Sequence, residues 1–208
     1  MKIIIADSCG KAWLEYLAYV LCSGEEICDD KELIVESNLT VIRISDFLER
    51  DPVLEQYGDE SVLNRYTAKI CTTKIVPPFK LSYGERLFSF NGVNQIEWLI
   101  GLLKAKHESK SAAVSLLKAN EPYEMVPCLT TIFVKIRKNA LQLTAIFRSQ
   151  NVFYAYGNFT ALHKLQCDIA KRLSIPCGEF TAVIHCPHLY YKDLDTIRKI
   201  LKVTGYDK

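Results

Sequence analysis

The sequence predicts an α+β fold, a mixed β-sheet flanked by helices, and two observations carry that reading. First, strand-like and helix-like segments are mixed irregularly, and some strands follow one another directly. The clearest case is residues 126–137 and 140–148, joined by the short turn Arg137-Lys138-Asn139-Ala140. A regular doubly wound sheet would place a helix between most successive strands. Second, the 208 residues hold no internal repeat, low-complexity tract or linker-like stretch, so one domain with a substantial core is expected.

The elements follow in order. Residues 2–6 form a short apolar run that reads as a strand, and 11–21 have helical spacing ending near Gly24. Asp29-Asp30-Lys31 reads as a solvated turn, 39–44 as a strand, and 46–58 as polar and irregular. Within 59–70, Val62, Leu63, Tyr66 and Ile70 fall on one helical face. Pro77-Pro78 breaks the chain before Leu81. A second helix over 93–103 buries Ile96, Leu99, Ile100 and Leu103, and 112–117 is strand-like. After the hairpin, a helix over 159–173 is stopped by Pro176-Cys177-Gly178. A long strand over 180–189 and a helix over 194–201 complete the series.

Composition narrows the partners. Hydrophobic residues at 49% and charged ones at 24% are ordinary for a globular chain. The net charge of +2, from dispersed basic residues, gives no reason to expect nucleic acid or a membrane surface. The apolar start is short and interrupted by Asp7, unlike a signal peptide, and no run approaches the roughly 20 apolar residues of a membrane span. Eight cysteines without a C-x-x-C pair predict free thiols in a reducing cytoplasm, most of them small buried hydrophobes.

Cys128 is set apart from the other seven. It opens an apolar strand, and twenty residues later Arg148-Ser149 brings a guanidinium and a hydroxyl within hairpin reach. A nearby cation favours the thiolate, which is the reactive species. Cys177, His185, Cys186 and His188 invite a metal reading, but strand alternation separates His185 from Cys186, and no metal is expected. His107 and His163 read as solvent-facing helix residues, while Tyr154 and Tyr156 fit either a site wall or core packing.

Five segments resemble the thymidylate synthase family, which includes the pyrimidine hydroxymethylases. Tyr83-Gly84-Glu85-Arg86-Leu87 is similar to its Y-G-x-R-L, and Asn94-Gln95-Ile96 to its D-Q-I. Pro127-Cys128-Leu129 matches the P-C-[HL] nucleophile segment, and Arg148-Ser149-Gln150-Asn151-Val152-Phe153 matches R-S-x-D-V-F. His188-Leu189-Tyr190 matches H-[ILV]-Y. Each alone is a weak signal; all five occur in the family's order between Tyr83 and Asp193, and the chain is most like the compact archaeal-type synthases.

The resemblance implies that family's fold and conversion of dUMP to dTMP. Cys128 would add to C6 of the pyrimidine, so that C5 attacks a one-carbon unit carried on a reduced pterin, either 5,10-methylenetetrahydrofolate or a methanopterin analogue. It assigns Arg148 and Ser149 to the nucleotide phosphate, His188 and Tyr190 to the sugar hydroxyl, and a homodimer as the assembly. Asn158 becomes the base reader if one residue is deleted beside Gly157; without the deletion the position falls on Phe159. Asn151 stands where the family has an aspartate against the pterin, and Ser109-Lys110-Ser111 stands for S-R-R, leaving Lys110 as a point charge for phosphate. The family's general-base glutamate has no secure match, with Glu60 and Glu85 nearest, and no short apolar tail precedes Lys208. Two other readings remain: a CMP or dCMP 5-hydroxymethylase, and a non-catalytic protein that binds pyrimidine nucleotides.

Overall fold

Eight strands join in one mixed sheet in a computed structural model that describes residues 1–29 and 31–207. They are β1 (Lys2–Ala6), β2 (Glu25–Asp29), β3 (Glu32–Glu36), β4 (Thr40–Ile44), β5 (Ala113–Ser115), β6 (Leu129–Arg137), β7 (Ala140–Asn151) and β8 (Cys177–Tyr190). The helices are α1 (Cys9–Ser23), α2 (Pro52–Tyr57), α3 (Glu60–Cys71), α4 (Tyr83–Phe88), α5 (Gln95–Ala105), α6 (Ala155–Arg172) and α7 (Leu194–Thr204). The main strand order is β1-β4-β8-β7-β6-β5.

Two connections organise the sheet. β6 and β7 form the expected hairpin, and Lys138 and Asn139 both take positive φ, as a tight turn between right-twisted strands requires. β7 then runs parallel to β8, with α6 as the crossover between them. β8 is long enough to hold two neighbours in tandem on one edge, β4 along 180–184 and the β2–β3 hairpin's inner strand along 188–190.

One sheet face is closed. Leu143, Ala145 and Phe147 of β7 pair in register with Phe180, Ala182 and Ile184 of β8, and with Leu141 they share one core with Trp13 and Leu17 of α1 and Phe159 and Leu162 of α6. The alternate residues form the other face. There Ile3 is 50%, Ile5 65% and Phe133 45% exposed, beside the half-buried Val41, Ile146 and Val183.

Two glycines let the helices approach. A Cβ on Gly157 in α6 would lie 2.8 Å from the Tyr66 ring of α3. A Cβ on Gly84 would lie 2.0 Å from the Thr72 carbonyl oxygen, so α4 can press against the end of α3 only with glycine there. Arg86, also in that segment, is buried, pairs with Glu121 and donates to the Leu116 carbonyl at 2.9 Å. Asn94 caps α5, and Gln95 ties the Arg86 and Ser115 carbonyls at 2.8 Å each. Beyond the Tyr83 ring itself, these two motif segments brace the scaffold.

Several expectations need correction. Residues 46–58 contain α2, whose N-cap Asp51 also accepts from the Gly10 amide at 2.7 Å. The hairpin over 25–36 has almost no alternating apolar pattern because β2 is exposed throughout. The solvated turn was placed on Asp29-Asp30-Lys31, of which Asp30 lies outside the described residues. α6 starts at Ala155 because the 3-10 turn Val152–Tyr154 runs directly into it, and Cys177 already pairs as the first residue of β8. No described helix is long and apolar enough to cross a membrane.

Candidate active site

Cys128 immediately precedes β6 and is half-buried. Its carbonyl accepts from the Arg148 amide at 2.8 Å, and the next amide, Leu129, donates to the Tyr83 hydroxyl at 3.4 Å. The Arg148 guanidinium holds the same segment, donating to the Pro127 carbonyl at 3.2 Å and the Val126 carbonyl at 2.8 Å. A third donor reaches Ser149 Oγ at 3.3 Å, and that hydroxyl lies 3.5 Å from Cys128 Sγ. The hairpin reach inferred from sequence is therefore realised as a contact network around one thiol.

Register places the remaining side chains. Ser149 pairs with Cys186 and Asn151 with His188 across parallel strands, while β3 sets Glu36 beside His188 and Ile34 beside Tyr190. Directly paired residues share a face, so Ser149, Asn151, His188 and Tyr190 converge. The His188 and Tyr190 rings meet edge to face with centroids 5.3 Å apart. Burial lowers the His188 pKa below the ordinary imidazole value, so the ring is held neutral near pH 7. Its Nδ1 lies 3.2 Å from the Cys186 carbonyl, which defines that nitrogen as the donor and leaves Nε2 as an acceptor.

These residues wall a cavity of about 920 Å³ that also exposes Asn158. Phe159 is fully buried in the core instead, so the register with one deletion is the one that brings an amide to the wall. Asn151 Oδ1 accepts from the Phe153 amide at 3.0 Å, which commits that oxygen to capping the 3-10 turn. Lys110 is elsewhere: it borders a separate depression with His107, Arg137 and Asn139. Glu60 and Glu85 do not line the Cys128 cavity either; its carboxylates are Asp29, Glu36 and Glu124.

Sequence reasoning missed Lys69, Tyr66, Phe79 and Gln150 as residues of this cavity. Lys69, Tyr66 and Phe79 line it, with Lys69 Nζ 3.9 Å from the Phe79 ring centroid and 4.0 Å from that of Tyr83. Burial brings the Lys69 pKa down to about 8, opposed only by the charge of Cys128. Gln150 is buried on the wall, and among the described residues neither polar atom of its amide has a hydrogen-bond partner. A lysine three residues after a core-facing tyrosine was the only hint, and lysines near helix ends usually face water.

Two other places in the fold gather polar side chains. A larger depression of about 1110 Å³ is lined by Phe47, Asp51, Leu63 and His163, but its only thiol, Cys9, is pushed up to about 12 by burial. Chemistry therefore favours the smaller cavity. Of the four metal candidates named from sequence, only Cys177 joins a cluster among the described residues, with His163 and Cys167, whose ligand atoms all lie within 4.8 Å of one another. His163 is not the solvent-facing residue expected, since it stacks on Phe47 with centroids 3.9 Å apart and sits 3.3 Å from Cys167 Sγ. Tyr156 is buried and accepts from the Asp59 amide at 3.0 Å, whereas Tyr154 is half-buried beside Phe153. His107 is exposed, on a turn after α5.

Comparison with known proteins reaches the same elements. The family model described as thymidylate synthase matches residues 55–207, a span that includes every segment around the Cys128 cavity except β2 and β3. The chain belongs to the thymidylate synthase family. It is 30% identical over 97% of its length to a Methanosarcina mazei protein named "Putative thymidylate synthase", of which 95% is covered. A Methanocaldococcus jannaschii protein of the same name is 28% identical, with 96% of each chain covered. A Mycoplasma pneumoniae thymidylate synthase is 27% identical over 56% of this chain and 42% of its own length.

Proposed function

We propose that this chain is a one-carbon transferase that converts dUMP to dTMP with a methylene-carrying reduced pterin. The observation that carries the reading is the convergence of Cys128, Ser149, Asn158, His188 and Tyr190 on one cavity wall. Cys128 is the nucleophile: its thiolate adds to C6, the C5–C6 π pair moves toward C4 and O4, and C5 becomes nucleophilic. Asn158 reads the base, because an amide offers a donor and an acceptor to the O4 and N3 edge of uracil. Arg148 and Ser149 hold the phosphate, and His188 Nε2 and the Tyr190 hydroxyl take the sugar hydroxyl.

The pterin supplies the one-carbon unit and a hydride when bound. The Asn151 amide nitrogen and the unpartnered Gln150 amide are donors and acceptors suited to a polar heterocycle, so the wall fits such a group. The single-domain organisation and the cytoplasmic setting are part of the same reading. So is a homodimer. The exposed apolar sheet face around Ile3, Ile5 and Phe133 is what a second copy would cover, and Lys110, remote from the cavity of its own chain, would serve phosphate only across such an interface.

The test is tritium release from C5-labelled dUMP, dCMP and CMP, with and without each pterin. Release from dUMP, dependent on Cys128, supports the proposal. Preferential release from a cytosine nucleotide would instead indicate the hydroxymethylase, and binding of all three without release a non-catalytic protein.

A further inference from the structure

We propose that Lys69 is the activating residue of Cys128, the cation that holds its thiolate ready in the free protein. This rests on the reading of Cys128 as nucleophile and adds a group to it that the family's motif segments do not contain.

The placement carries the argument. Lys69 lies on α3, facing the cavity, with its ammonium against the Phe79 and Tyr83 rings and 5.7 Å from the Tyr66 centroid. Ring faces accept a cation without neutralising it. Tyr66 and Tyr83 themselves stay protonated, since burial raises both above the ordinary phenol value. Among the described residues no carboxylate lies within ion-pair distance of Lys69.

A buried ammonium without a carboxylate is costly unless another anion faces it. Cys128 lines the same cavity, whose carboxylates Asp29, Glu36 and Glu124 form no ion pair with Lys69, and the charge of Cys128 is what opposes the fall of the Lys69 pKa. Arg148 and Lys80 are the other cations on this cavity wall; Arg148 turns three of its five N–H groups to Val126, Pro127 and Ser149, and the remaining two are what the phosphate would take. The arginine thus fixes the position of the thiol, and the lysine supplies uncommitted charge. In the activation step the Cys128 S–H proton passes to water, the lysine keeps its own, and the thiolate faces the ammonium.

The test is iodoacetamide alkylation at pH 7 without nucleotide, read at Cys128 by peptide mass spectrometry. In this reaction an S–C bond forms and iodide leaves. Full-length wild type, Lys69→Met and Lys69→Arg are compared, with Lys69→Gln in reserve should the methionine variant not fold. Cys128 in Lys69→Met is expected to react about tenfold more slowly, the low end of what a neighbouring opposite charge does to an ionised fraction. Lys69→Arg should recover most of that rate, because it keeps the charge while changing the shape. Wild-type reactivity in Lys69→Met would overturn the proposal. So would an arginine variant as slow as the methionine one, since that pattern marks a packing role. Because no pyrimidine is present, the result is independent of substrate. Lys69-dependent alkylation together with absent C5 tritium release would sink the nucleotide reading and leave this one standing.

Discussion

Replacing Lys69 by methionine should make the protein more stable at neutral pH, with the gain disappearing at high pH. In the folded protein burial takes this lysine from 10.5 to about 8. At about 1.4 kcal/mol per tenfold in proton affinity, that is a ceiling of roughly 3.5 kcal/mol of native-state cost at pH 7. The cavity is open to water on one side, and the Phe79 and Tyr83 faces favour the charged form. The cost to be relieved is therefore nearer ~1–2 kcal/mol. The sign follows from linkage. The folded pKa is depressed, so between about pH 8 and 10.5 the unfolded chain binds more protons than the native one, and wild-type stability rises relative to the variant. Urea unfolding followed by circular dichroism at pH 7 and pH 9.5 measures both points. Lys69→Met should be the more stable protein at pH 7, and the gap should shrink at pH 9.5. A less stable variant at pH 7, or a gap independent of pH, would refute the argument that this ammonium is buried without a carboxylate partner and that the charge of Cys128 offsets its burial only in part.

Other outcomes follow from the same geometry. Asn158→Asp should lower C5 tritium release from dUMP at least about tenfold while raising the dCMP-to-dUMP ratio, because a carboxylate accepts from the cytosine amino group but has no donor for uracil O4; an unchanged ratio would remove Asn158 from base reading. Burial depresses His188, so its contribution to stability is present above the ordinary imidazole pKa of 6.5 and lost as pH falls below it. His188→Gln should flatten that acid-side loss in thermal melts between pH 5 and 7, leaving the part due to His163, which burial also depresses. Gly84→Ala should cost about 2–3 kcal/mol in urea unfolding, since its methyl would meet the Thr72 carbonyl oxygen at 2.0 Å; a loss under about 0.5 kcal/mol would show that α4 shifts freely.

Most of the architecture was legible because it is written in local patterns. The period-two run after Cys128, the Lys138-Asn139 turn and the apolar stripe of α5 each carry their own signal. What escaped was weakly patterned. β2 has no buried face, and α2 has no fully buried residue, although Asp51 followed by Pro52 is a helix-start signature that the surrounding polarity obscured. At the site, Cys128, Arg148, Ser149, His188 and Tyr190 stand in motif segments, and strand alternation made a shared face foreseeable for Ser149, His188 and Tyr190. Lys69 and Gln150 were invisible for a different reason. A lysine or glutamine is normally solvated, and only the packing of α3 against α4 and the sheet turns them into cavity walls. The same tertiary effect moved His163 from the expected solvent face onto Phe47, and left Glu60 and Glu85 outside the cavity that they were nearest to in sequence.

The central claim is that Cys128 attacks C6 of a uracil nucleotide. Incubating the protein with 5-fluoro-dUMP and a methylene-carrying reduced pterin tests it most directly, because fluorine at C5 cannot leave as a cation and the adduct is trapped. Mass spectrometry should find one nucleotide and one pterin attached through the peptide containing Cys128, and Cys128→Ala should give no adduct. An adduct mapped to another cysteine, or none with wild type and either class of pterin, would contradict the account.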